Sequence, residues 1–317
     1  MVKIPNLQDP TLVAIDEALE RTQESRPRNY LGASGVGETC ERKLWAGFRW
    51  VKDRYIEASG LRRINDGHRG ELVVADMLRL VEGIELSTER EPRQQHSFED
   101  FGGHFRGNCD GLLMGLIQSP KKLHVWECKV INDKKFQKLN TLKATKGEEN
   151  ALKFWDEIYY AQAQIYMHYF KAERHYLTAA SPGVRDLTSV RTNYDAQEAE
   201  RLIKKAERVI FAKRPPEKIS NDPAWYECKY CPQHAMCHED ELPKRVNCRT
   251  CMHSTPLRDG TWKCEKHEYI LTMDDQLKGC PDHLYHPDLV PGEQTDYGDN
   301  WVEYKLRDGR TWIDRSK

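Results

Sequence analysis

The chain has 317 residues, 38% hydrophobic and 31% charged, with a formal net charge of −1. That length holds one large domain or two smaller ones, and no stretch nears the ~18 apolar residues that a membrane span needs. A near-neutral chain does not attract a polyanion as a whole, so any nucleic-acid contact must come from a local basic groove.

The start, MVKIPNLQDPTLVAIDEALE, lacks a basic segment followed by an apolar run. No secretory signal is therefore expected, and the expected compartment is a reducing cytoplasm. Residues 10 to 27 read as a mostly polar helix. GETCERKLWAGFRW reads as a helix entered through Thr39, with Leu44, Trp45 and Phe48 as its apolar face. GHRGELVVADMLRLV is a stronger helix, with Leu72, Ala75, Met77, Leu78 and Val81 at helical spacing. Residues 88 to 98 are polar and extended. HFRGNCDGLLMGLI and KLHVWECKV then read as two strands joined as a hairpin through QSPKK. A polar stretch spans 132 to 150, and ALKFWDEIYYAQAQIYMHYF reads as one long amphipathic helix. RHYLTAA and LTSVRTNY are strands, and DAQEAERLIKKAERVIFAK is a helix that ends before Pro215-Pro216. Beyond Pro216, short cysteine-bearing loops replace periodic segments. A boundary near residue 241 divides the chain into an N-terminal helical extension (1–29), a central domain (30–240) and a C-terminal module (241–317). That module ends in a hairpin around Asp308-Gly309.

In HVWECKV the two-residue strand period puts Glu127 and Lys129 on one face. An ion pair would explain this, and so would a metal-dependent active site. Asp110, in the partner strand, can reach the same face across the hairpin. Two hard oxygen ligands there make an incomplete Mg²⁺ or Mn²⁺ site, with positions left for water and phosphate. Lys129 could orient that water or stabilise the charge that builds in the transition state.

This D…ExK pattern resembles the PD-(D/E)XK nuclease superfamily, with Cys109 where that family usually has Pro. The resemblance implies an α/β fold, with a restriction-endonuclease-like mixed central sheet flanked by helices. It also implies that Asp110 and Glu127 bind the metal. In the RecB-like branch a QxxxY motif follows on a helix, and here AQAQIYMHYF offers Gln162 and Tyr166, four apart and on one helical face. That branch also has a His or Glu on a helix before the Asp strand. GHRGEL offers His68 and Glu71, of which Glu71 is the harder oxygen donor.

Seven of the ten cysteines fall between 228 and 280. In a reducing compartment such clustering favours metal ligation over disulfides. Cys228, Cys231 and Cys237 are three thiols, so a tetrahedral site needs a fourth ligand from elsewhere. Iron–sulfur members of the RecB-like family, including AddB-type helicase-nucleases and CRISPR-associated exonucleases, place one Cys before the core and three after it. Cys40, in CERKLW, matches the first position. The resemblance thus implies a [4Fe–4S] clasp on Cys40, Cys228, Cys231 and Cys237; a zinc site that uses His234 or His238 is the alternative. Cys109 and Cys128 fit neither pattern and read as small apolar groups beside the active site.

Cys248, Cys251, Cys264 and Cys280 read as a structural Zn²⁺ site, with His267 as a competitor for the fourth place. The expected function is a Mg²⁺- or Mn²⁺-dependent DNA exonuclease that acts at ends in recombination, repair or replication. Its expected partners are DNA and a recombination or replication protein, and a bacteriophage origin would suit it. The alternative is a non-catalytic nucleic-acid-binding or assembly module on the same metal-clasped fold.

Overall fold

A computed structural model describes residues 9–23, 27–53 and 55–315. In chain order, helix α1 (Pro10–Arg21) leads to strand β1 (Leu31–Gly32), α2 (Glu41–Phe48) and α3 (Ala58–Arg79). Six short strands follow: β2 (Glu85–Ser87), β3 (Glu89–Glu91), β4 (Gln94–Gln95), β5 (Ser97–Asp100), β6 (Phe105–Asn108) and β7 (Gly111–Met114). Then come β8 (His124–Val130), α4 (Asp133–Lys146), α5 (Glu148–Trp155), α6 (Glu157–Phe170), β9 (Arg174–Ala180), β10 (Leu187–Asn193) and α7 (Ala196–Ile210). The cysteine-rich end holds α8 (Tyr226–Lys229), α9 (His234–His238), β11 (Ser254–Pro256), β12 (Trp262–Cys264), β13 (Tyr269–Leu271) and α10 (Met273–Lys278). It closes with β14 (Gly292–Gly298), β15 (Trp301–Leu306) and β16 (Thr311–Arg315). No helix among the described residues is long and apolar enough to cross a membrane.

The central sheet has five strands in the order β10-β9-β8-β7-β2. The β8–β9 pair is parallel and the other pairs are antiparallel, so the sheet is mixed. Helices α4 to α6 make the connection that a parallel pair requires. Strand β8 is buried on both faces, and the two faces feed different clusters. Val125 joins the main core with Trp45, Ile165 and Leu177, whereas Trp126 and Cys128 pack with Val74, Ala75 and Leu113. Each fully buried side chain of this size contributes about 1.5–3 kcal/mol.

Several expected elements come out divided. The segment HFRGNCDGLLMGLI is two strands in two sheets, because the chain breaks at Cys109-Asp110 between β6 and β7. The expected long helix is α5 and α6, broken at Asp156. That residue is extended (φ −156°), and its carboxylate accepts from the Ile158 and Tyr159 amides at 3.2 Å, capping α6. The polar stretch 132–150 holds α4, capped by Asn132.

Helix α3 corrects the expected apolar face in part: Ala75 and Leu78 pack inward as expected, and the other three do not. Leu72, Met77 and Val81 are 66%, 42% and 37% exposed, and the inward residues are Ala58, Gly70, Val74 and Ala75. Close approach explains the phase. A Cβ at Gly70 would lie 2.3 Å from Val130 Cγ2 of β8, so the helix meets the sheet through its small residues.

The C-terminal segment shares the main core through Trp262, Leu271 and Leu289. Two glycines let its β11–β12 turn touch the core backbone. Gly102 has φ +65°, and a Cβ there would lie 2.1 Å from the Asp259 carbonyl carbon; Gly260 has φ +88° and meets Gly102 O in the same way. His104 sits at this junction, 2% exposed, against Phe48 and Trp262. Burial, with Arg249 beside it, holds its imidazole down from 6.5 to about 4.

Between those two pH values the unfolded chain binds the proton and the folded chain does not, so stability must fall as pH falls. His104 has no such effect above pH 6.5 and removes up to about 3 kcal/mol as the pH drops towards 4. We expect urea melts of His104→Phe to lose less stability over that range than wild type; parallel pH profiles would refute the assignment.

Candidate active site

The break between β6 and β7 positions Asp110 against β8, where its Oδ2 accepts from the Cys128 amide at 2.8 Å. Strand alternation sends Glu127 and Lys129 to one side, and their side chains form an ion pair. Helix α6 lies over that side. Gln162 Nε2 donates to Glu127 Oε1 at 3.1 Å and lies 3.2 Å from the Tyr166 hydroxyl, which donates to the Asn108 carbonyl at 2.6 Å. The glutamate is thus held by a chain of hydrogen bonds that ends on β6. Helix α3 adds His68 and Glu71 from the other side. The structure brings all seven residues, Asp110, Glu127, Lys129, Gln162, Tyr166, His68 and Glu71, to one cleft of about 510 Å³.

Electrostatics set this cleft apart from a surface ion pair. Glu127 is 3% exposed, and its Oε2 is buried without a hydrogen-bond partner. Burial and the facing Asp110 push it up to about 8. Burial and Asp110 likewise raise Glu71 to about 7, against a lowering pull from Lys129. Burial raises Asp110 too, against the Lys129 charge, the Cys128 amide and His68. Lys129 moves the other way from a typical buried lysine. Burial alone would depress it, but Glu127 and Asp110 outweigh that and hold it charged. Three carboxyl groups therefore share one ammonium. Cys109 and Cys128, 0% and 6% exposed, pack beside them as thiols, and burial lifts Cys128 to about 12.

The cleft wall also carries Arg28, Tyr30, Arg63, Arg106 and Tyr159, which the motif reading does not include. Arg63 had a readable signal: with Gly67 and Glu71 it forms an i, i+4, i+8 row along α3. Arg28 and Tyr30 lie between α1 and β1, outside any periodic element, and had none. Arg106 pairs with Glu99 at 3.0 Å, and its guanidinium lies 5.6 Å from the Tyr30 ring centroid.

The thiols fall into two groups. Cys40, Cys228, Cys231 and Cys237 line a cavity of about 380 Å³, and Cys40 is the N-cap of α2. Backbone amides approach two of these sulfurs, Lys43 N to Cys40 Sγ and Gln233 N to Cys231 Sγ, both at 3.4 Å. His234 turns its Nδ1 to the Cys228 carbonyl at 2.9 Å. Cys248, Cys251, Cys264 and Cys280 line a cavity of only about 10 Å³, beside His253, His267 and Asp282. Among the described residues, no three His, Cys, Asp or Glu side chains already converge as a metal shell. The side chains ring these spaces without closing on a point.

No protein-family model and no curated protein matches the chain. Its structure is similar to that of SSO0001, with 18% identity over 72% of this chain and 95% of that one, at a TM-score of 0.40. It is also similar to an alkaline exonuclease, LHK-Exo, from Laribacter hongkongensis, with 14% identity over 58% of this chain and 87% of that one (TM-score 0.38). A phage related exonuclease from Haemophilus somnus 129PT shares 12% identity over 57% of this chain and 91% of its own (TM-score 0.40). Likenesses of this size leave the chemistry of the cleft as the ground for function.

Crowded carboxylates store repulsion that a neutral isostere relieves. Asp110→Asn keeps an acceptor for the Cys128 amide and removes one charge from the cleft. Without added metal we expect it to stabilise the fold by about 1 kcal/mol in denaturant melts at neutral pH. A clear loss of stability would mean that the ionised aspartate is needed by the fold itself.

Proposed function

We propose that the chain is a divalent-metal-dependent nuclease that hydrolyses DNA phosphodiester bonds, acting from ends as an exonuclease. The observation that carries this is that Glu71, Asp110 and Glu127 line one cleft, where one buried carboxylate oxygen has no partner. With Lys129 included, these groups carry a formal charge of −2 when ionised, which suits a hard divalent cation with oxygen ligands. Glu71, Asp110 and Glu127 would hold Mg²⁺ or Mn²⁺, with His68 adjoining. When bound, the metal supplies Lewis acidity, lowering the pKa of a water and taking up charge on the phosphate.

The chain's own residues do the rest. Gln162 and Tyr166 fix the Glu127 carboxylate and leave its second oxygen free. Lys129 brings a permanent positive charge to the place where negative charge builds. Arg28, Arg63 and Arg106 can hold the phosphate backbone, by the fork geometry that makes guanidinium a good phosphate ligand. These local cations supply the attraction that the net charge lacks. The setting that suits this activity is DNA end processing in recombination, repair or replication.

A [4Fe–4S] cluster on Cys40, Cys228, Cys231 and Cys237 belongs to the same proposal. The cavity between these thiols has room for more than a single ion, and the cluster would tie α2 to the segment after α7.

Labelled single- and double-stranded DNA incubated with the full chain and Mn²⁺ tests the activity. Asp110→Ala and Lys129→Ala should each lower the rate on the order of 10²–10³-fold. Equal cleavage by wild type and both variants would reject a catalytic cleft, and no cleavage by any of them would leave a binding module. For the clasp, anaerobic wild-type protein should be brown and carry about four irons per chain, and Cys40→Ser should lose them. A colourless wild-type protein with zinc alone would overturn the cluster.

A further inference from the structure

Arg49 and Arg249 meet where the C-terminal module packs on α2, only 3% and 2% exposed. Arg49 follows α2 directly, and Arg249 lies between Cys248 and Cys251. Both guanidiniums are charged at neutral pH. Neither has a carboxylate acting on it among the described residues. Arg249 is satisfied by neutral oxygens: Phe48 O at 3.0 Å, Asn29 O at 3.0 Å and Gln276 Oε1 at 2.9 Å. Its guanidinium lies 3.9 Å from the Trp50 ring centroid. Arg49 Nη1 donates to Arg249 O at 3.1 Å and to Ser254 O at 3.5 Å, and its Nε is buried without a partner. Two unpaired cations side by side in a desolvated place are costly unless a negative centre faces them.

Among the described residues, the anion-forming group that acts on Arg49 is the Cys251 thiol. Cys251 shares its small cavity with Cys248, Cys264 and Cys280. That space suits one ion and excludes a cluster. Charge then selects among the possible ligand sets. Thiols without a metal contribute nothing, which leaves both arginines unbalanced. Zinc with three thiolates and one imidazole carries −1, and zinc with four thiolates carries −2, which balances the +2 of the two arginines. His267, the competing ligand, has its Nε2 on Asp282 at 3.1 Å.

We propose that Cys248, Cys251, Cys264 and Cys280 bind one Zn²⁺ as a tetrathiolate, with Arg49 and Arg249 as its counter-charge, so that the metal locks the C-terminal module onto α2. Metal binding draws together four sulfurs that now surround the cavity without converging. The claim is independent of what the cleft cleaves, and none of its readouts is DNA cleavage.

The test uses the full chain. Wild type should hold one zinc in this set beyond any iron, and its Co²⁺-exchanged form should show tetrahedral bands with the sulfur-to-metal charge transfer of four thiolates. Arg49→Met should release zinc to a competing chelator at an affinity lower by about ten- to a hundredfold, and Arg49→Lys should keep most of the wild-type affinity. A Co²⁺ spectrum of three thiolates and an imidazole overturns the ligand set. Unchanged zinc affinity in Arg49→Met overturns the counter-charge. If Arg49→Met does not fold, Arg49→Lys decides: affinity near wild type supports the role of charge, and a loss of a hundredfold or more refutes it.

Discussion

The cleft depends on placing Glu127 in a strand buried on both faces. An ionised carboxylate in such a strand has few ways to be stable. It takes one hydrogen bond from Gln162, an ion pair with Lys129, and then has an oxygen left over. Tyr166 braces Gln162 from below, and α3 approaches closely enough, through Gly70, to bring Glu71 opposite. The crowded acid set is poor as a structural device, because repulsion and burial both oppose its ionised form. As a receptor for a divalent cation it is well matched, since the unfavourable terms are those that a cation reverses.

What could be read from the sequence divides along physical lines. The strand period places Glu127 with Lys129, and the helical repeat places Gln162 with Tyr166, because both are local geometry that no tertiary contact can change. The hairpin to Asp110 was readable for the same reason, as was the terminal hairpin at Asp308-Gly309. The inward face of α3 was legible only at Ala75 and Leu78. Leu72 and Met77 have the composition of a core face, but the distance from helix to sheet is set by Gly70 against Val130. A pattern of hydrophobicity has no access to interaxial distance. The break at Asp156 also escaped, since its cap competes with an apolar run that reads as continuous. Arg28 and Arg106 join the cleft from loops and a short strand whose location only the assembled sheets decide.

The two thiol groups show how similar residues can face different tasks. One surrounds a broad space and begins at the cap of α2; the other surrounds a space of about 10 Å³ just past the other end of that helix. Helix α2 is therefore held at both ends, and Trp45 in its middle and Phe48 at its last position are part of the main core.

Arg49 and the Arg249 carbonyl that it binds are separated by 200 residues of chain. A ribosome makes the first well before the second, so Arg49, which follows α2, keeps its guanidinium in water until the later segment arrives. Contacts of such long sequence separation close slowly and late. The main core therefore stays open until Trp262, Leu271 and Leu289, which belong to it, have been made.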